Sequence, residues 1–180
     1  MSSINLTDKN IISSIHRKVF DEAFDLIVDQ YHQKLYWHIR RIVFSHDDAN
    51  DVLQNTFIKV WKALPKFRGD AKIYTWLFRI ATNESITFIN KQKVHLSFDD
   101  VSRGIPSPQQ LGLDLTASEI EQKLESAIAS LPEKQRIVFN LRYFEEMKYE
   151  DISKITGTSV GGLKANYHLA VKKIEESLTS

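Results

Sequence analysis

Apolar residues return at three- and four-residue steps along most of this chain, and that rhythm breaks only once over a long stretch. Residues 20–44 carry it as Phe20, Phe24, Ile27, Val28, Tyr31, Leu35, Ile39 and Ile42, the spacing of one helix face. Ser45-His46-Asp47-Asp48 reads as a turn with capping side chains for the next helix. That helix, over 48–64, holds a continuous stripe of Ala49, Val52, Leu53, Thr56, Phe57, Val60, Trp61 and Leu64, and Pro65 ends it. A polar loop, Lys66 to Lys72, leads to a third helix over 73–90 whose stripe is Ile73, Trp76, Leu77, Ile80, Ala81 and Phe88.

From Val94 to about Thr116 no period holds, and Asp99, Asp100, Gly104, Pro106, Pro108 and Gly112 mark a loop too long for the inside of a compact domain. Helices then resume over 118–129, from Pro132, over 149–155, and after Gly157-Thr158 with Ser159 as N-cap. A short helix, a glycine-containing turn and a longer helix make a helix-turn-helix. With only 6 Gly and 4 Pro in 180 residues, long helices meet few breakers. The expected fold is all-α. A helical bundle over 1–95 and a helix-turn-helix domain over 117–180 are joined by a flexible acidic linker over 96–116.

Charge is distributed by segment. Residues 1–95 carry 14 basic and 10 acidic side chains, residues 96–130 carry 2 and 6, and residues 131–180 carry 8 and 7. A basic block, an acidic connector and a near-neutral block suit different partners. The chain has no cysteine, which removes disulfides and thiolate chemistry and suits a reducing compartment. Its start lacks a signal-peptide pattern and no segment approaches a bilayer span. The expected location is the cytoplasm.

Two stretches carry chemistry. Between Phe57 and Asn83 lie Lys59, Lys62, Lys66, Arg68, Lys72 and Arg79, interleaved with Phe57, Trp61, Phe67, Tyr74, Trp76 and Phe78. Basic side chains neutralise phosphates and aromatic faces stack on unpaired bases at ~1–3 kcal/mol each, so the pattern suits single-stranded or melted nucleic acid. Phe57 and Trp61 fall on the apolar stripe and are expected in the core, Trp76 fits core or surface, and Phe67 has no stripe to join. On the other face of the second helix, Asp48, Asp51, Gln54, Asn55 and Ile58 line up. Such a face is solvated or binds a protein, and Ile58 amid polar groups favours the protein.

The run from Asp48 to Lys62 resembles the core-polymerase-binding helix of the extracytoplasmic-function (ECF) group of the sigma-70 family. Phe67-Arg68-Gly69-Asp70 followed by Tyr74 to Asn83 resembles that group's −10 loop and helix. The resemblance implies that Asp48, Asp51, Gln54, Asn55 and Ile58 dock on the β′ clamp of core RNA polymerase. It implies that Lys66, Phe67, Arg68, Gly69, Asp70, Tyr74, Trp76, Phe78, Arg79 and Asn83 bind the −10 element, with a base flipped out and held by the loop, Phe78 and Asn83. Asn55 stands where the family usually has Glu, which removes one charge from the docking face.

The second stretch runs from Leu131-Pro132-Glu133-Lys134-Gln135-Arg136 through Arg142-Tyr143-Phe144 to Tyr149-Glu150-Asp151-Ile152 and resembles the family's −35 domain. Between Asp151 and Glu175 there is no acid, while Lys154, Lys164, Lys172 and Lys173 are present. The −35 residues implied are Ser159, Gly161, Gly162, Lys164, Ala165, His168, Leu169 and Lys172. Gly161 and Gly162 fit either a packing turn or close approach of the helix N-terminus to a phosphate. The family's usual Thr at Gly162, Ser at Ala165 and Arg at Asn166 are absent here, so its −35 preference does not carry over.

The resemblance therefore implies an alternative sigma factor. Its partners are core RNA polymerase through the β′ clamp and β flap, promoter DNA and an anti-sigma factor. The acidic connector would thread the polymerase cleft. No catalytic residue, metal, cofactor or small-molecule substrate is expected, since no phosphate loop or hydrolase motif occurs and Asp29/His32 is a single metal-like pair. The competing reading is a helix-turn-helix regulator acting without polymerase. Residues 1–19 are weakly patterned and receive no role.

Overall fold

The computed structural model describes residues 6–99 and 119–179. Among them every regular element is helical, and no helix is long and apolar enough to cross a membrane. The first is α1, Leu6–His16, which the sequence pattern did not reveal. Its Ile11 and Ile15, one turn apart, are buried against α2, Phe20–Val43. Ser45 caps α3, His46–Ala63, its hydroxyl accepting from the Asp48 N–H at 3.3 Å. A 3₁₀ turn, Leu64–Lys66, holds Pro65 and closes α3.

The next helix, α4, spans Ile73–Asp99, nine residues beyond its expected end and into the expected linker. No breaker lies between Asn90 and Asp99. Gln92 also donates to Asp48 on α3, and Lys93 pairs with Glu133 of the second half at 3.2 Å. The rest of the expected connector lies outside the described residues. Helix α4 packs on α2, α3 and α7, Tyr149–Thr156. Three neighbours bury most of its circumference, so Thr75, Phe78, Thr82 and Ser85 join Ile73, Trp76, Leu77 and Ala81 inside.

The second half comprises α5, Glu119–Ala129, then α6, Glu133–Phe139, running into a π turn, Asn140–Phe144, then α7 and α8, Val160–Thr179. Pro132 is the N-cap of α6 rather than its first helical residue. Gly157 closes α7 in the left-handed region at φ 71°. Ser159 caps α8, its hydroxyl accepting from the Gly162 N–H at 3.2 Å. Helix α8 packs on α5, α6 and α7 around Leu163, Ala170 and Ile174. The two halves share packing: Ile137, Val138, Leu141, Met147 and Ile152 are continuous with the core of the bundle.

Candidate nucleic-acid interface

The α3 face emerges as its spacing predicts. Asp51, Gln54, Asn55 and Ile58 are exposed, and Asp48 is half-buried under Gln92. Ile58 leaves 44% of its surface open, although its neighbours Val52, Leu53, Thr56 and Val60 are buried. An isoleucine held out of an adjacent core among amides and a carboxylate is the anchor-in-polar-rim arrangement of a protein contact. Trp61 departs from expectation. At the end of α3 the Phe24 ring meets it edge to face at 5.2 Å, and 42% of it stays exposed. Phe57 is half-buried, with His32 stacked on it at 6.0 Å.

The loop between α3 and α4 presents Lys66, Arg68, Gly69 and Asp70 to solvent. Gly69 sits at φ 77°, a conformation that a β-carbon penalises. Phe67 is half-buried and leans on Trp76, ring centroids 5.0 Å apart. Trp76 itself is buried, so it forms the floor beneath Phe67 and offers no open face. Phe78 is a correction. It was expected to touch a flipped base, yet it is fully buried between His38 at 4.9 Å and Tyr74 at 4.4 Å. It packs in the core beneath α4 and offers no open ring face. Arg79 and Asn83, one turn apart on α4, are exposed.

Behind this face lies a polar layer that the sequence did not reveal. His38 is enclosed, its Nε2 2.8 Å from Thr82 Oγ1. The Thr82 hydroxyl donates its one proton to the Phe78 carbonyl at 2.7 Å, so His38 Nε2 is the donor between them. Burial first, then the Arg41 charge, pushes the His38 pKa down to about 3.

Tyr74 is half-buried, and its hydroxyl donates at 2.9 Å to Glu145, which follows the π turn of the second half. Burial and the adjacent carboxylate push the Tyr74 phenol well up. Arg41 of α2 also reaches Glu145, at 3.6 Å, with its guanidinium 3.9 Å from the centre of the Phe144 ring. Burial raises the Glu145 pKa, against the pull of Tyr74, Arg41 and Lys34. Lys72, at the foot of α4, meets Asp151 of α7 at 3.5 Å.

In the helix-turn-helix, Ser159, Gly161, Lys164, Ala165, His168, Leu169 and Lys172 are exposed on one side of the turn and α8. Gly162 is half-buried. A β-carbon there would meet the Thr158 methyl at 3.1 Å and Ser159 Oγ at 3.3 Å, so this glycine serves the tight turn. At Gly161 a β-carbon would meet nothing. Ser159 accepts the cap hydrogen bond through its hydroxyl.

An all-helical chain with an aromatic, basic loop on one half and a helix-turn-helix on the other has the make-up of a promoter-binding initiation protein. Residues 27–94 match Sigma-70 region 2 and residues 121–174 match Sigma-70, region 4. The RNA polymerase sigma-H factor of Pseudomonas aeruginosa is 33% identical over 95% of this chain and 93% of its own length. The ECF RNA polymerase sigma-E factor of Escherichia coli strain K12 is 32% identical over 98% and 96%. Two solved structures share the fold at 22% identity: the sigma factor RpoE of Bartonella quintana in complex with the anti-sigma factor NepR, and CnrH in complex with the cytosolic domain of CnrY. Their TM-scores are 0.73 over 87% of this chain and 0.67 over 97%, each covering 96% of the solved chain. The chain belongs to the ECF group of the sigma-70 family, and it is an alternative sigma factor.

Proposed function

We infer that the chain divides its work between two domains, residues 1–95 and 117–180. The α3 face of Asp48, Asp51, Gln54, Asn55 and Ile58 docks on the β′ clamp of core RNA polymerase. The Lys66–Asp70 loop, with Tyr74, Arg79 and Asn83, takes the −10 strand. The exposed side of α8 reads the −35 duplex while its domain contacts the β flap. The carrying observation is Ile58, 44% exposed in the middle of a polar face on a helix whose other side is core. The solved complex of the sigma factor RpoE with the anti-sigma factor NepR supports an anti-sigma partner for this chain too. The protein has no catalytic step of its own.

Run-off transcription with purified core polymerase tests this reading. The native chain initiates, Asp51→Lys loses co-purification with β and β′, and Phe67→Ala keeps it while open-complex formation falls. Promoter binding without core association or initiation would restore the regulator reading.

A further inference from the structure

We propose that Ala165 and Leu169 of α8 read thymine through its 5-methyl group, so that this chain selects its −35 duplex by apolar contact with T·A pairs and not by pairing with guanine. The inference rests on the −35 reading of α8 and deepens it, since it names the bases that the helix takes.

Leu169 leaves 45% of its surface open. Leu163, Ala170 and Ile174 turn into the core and fix the rotation of α8, so Ala165 and Leu169 lie on its outer side, one turn apart. Lys164, His168 and Lys172 share that side, and no acid occurs between Asp151 and Glu175. A leucine framed by cationic side chains suits a polyanion that carries an apolar spot. In the major groove of B-DNA the thymine methyl is that spot. Four residues of helix advance about 6 Å, roughly two of the ~3.4 Å steps of DNA, so the two side chains meet thymines one or two pairs apart.

The polar groups on this side do not supply a guanine contact. Guanine offers two acceptors side by side, which a guanidinium meets with two donors, and no Arg or Gln occurs from Ser159 to Ser180. Lysine can reach the same acceptors, but both lysines are drawn aside. The Lys164 ammonium lies 5.9 Å from the centre of the Tyr149 ring on α7, and that of Lys172 lies 3.9 Å from Glu176, one turn further along α8. At the borders of the helix they suit phosphates. Neutral His168 carries one ring donor. Asn166, the only side-chain amide of α8, is half-buried, and an amide pairs with adenine, not guanine.

Holoenzyme assembled from core polymerase and the full chain selects from a library of promoter duplexes randomised over the −10 and −35 regions. Bound duplexes are enriched for thymine at two −35 positions, on either strand, one or two pairs apart. Deoxyuridine at either position removes the methyl alone and weakens holoenzyme binding about fourfold, the worth of one buried methyl. Leu169→Ala assembles with core as the native chain does and no longer separates thymine from deoxyuridine at one of the two positions. Ala165→Gly does the same at the other. Leu169→Arg moves the preference at its own position to guanine by about tenfold.

Selected −35 positions without thymine, or deoxyuridine bound as tightly as thymine, overturn the proposal. A methyl effect that survives in both variants belongs to other residues and overturns it too. Loss of core assembly in Leu169→Ala places this leucine against the polymerase, with the same result. Leu169→Arg with an unchanged base preference takes Leu169 out of the groove. Scrambling the −35 region of a selected promoter tests the underlying reading separately, so a holoenzyme that needs this region but ignores the methyl refutes this inference alone.

Discussion

His38 is a buried histidine that the fold keeps uncharged, and this makes a residue-scale prediction. Its pKa is pushed down to about 3 by burial and by Arg41, while in the unfolded chain it titrates near ~6.5. A base with a depressed folded pKa costs nothing above the unfolded value. As pH falls below that, the unfolded chain gains a proton that the folded chain refuses. Stability therefore declines from about pH 6.5 downward, by roughly 2 kcal/mol at pH 5 on the linkage slope. Urea unfolding of native protein and His38→Leu at pH 7 and pH 5 reads this directly. The native loss should exceed the variant's by about that 2 kcal/mol, and equal losses would remove His38 from the acid response. Nothing in the local pattern singled this residue out, because His38 is polar on a helix whose apolar period already looked complete. The same kind of gap explains Phe78. A three-neighbour helix buries residues on both sides of a narrow stripe, and periodicity alone reports the stripe.

Single helices show which part of the site a sequence can carry. The α3 face was legible because its residues recur on one helix side and the opposite side is uninterrupted core. The exposed side of α8 was legible for the same reason, with Leu163, Ala170 and Ile174 fixing its rotation. Helix α1 was not, since Ile11 and Ile15 are its only buried apolar positions and too few to set a period. Ser159 was read from sequence both as a cap and as a −35 contact, and the geometry shows the cap. Its hydroxyl accepts from Gly162 N–H, and a β-carbon at Gly162 would crowd that hydroxyl at 3.3 Å. Ser159→Ala should then cost ~1 kcal/mol of stability, the usual worth of an N-cap. Ser159→Asp, which also caps, should recover it in denaturant titration. A variant with native stability would show that the cap is not needed.

At the scale of the whole molecule, the contact between the halves was the least legible feature, because it joins residues far apart in sequence with no shared period. Tyr74 and Glu145 are 71 positions apart. Their meeting has a pH consequence. Glu145 is pushed up by burial in the docked state, with Tyr74, Arg41 and Lys34 as the groups that pull the other way. The net direction is upward, so the protonated carboxyl fits the contact better than the carboxylate. A carboxyl whose docked pKa exceeds its solvated one favours docking fully below the solvated value. That contribution is lost as pH rises through the docked value. Docking of the halves should therefore strengthen as pH is lowered from neutral, at constant ionic strength, read as the distance between spin labels on Lys62→Cys and Lys173→Cys, both exposed. Glu145→Gln imitates the protonated group. Its amide oxygen still accepts from the Tyr74 hydroxyl, and no charge has to be buried. That variant should stay closed at neutral pH and lose the pH response. A Gln variant whose labels move apart at neutral pH would instead mean that the Arg41 ion pair outweighs burial and that the carboxylate charge itself holds the domains together.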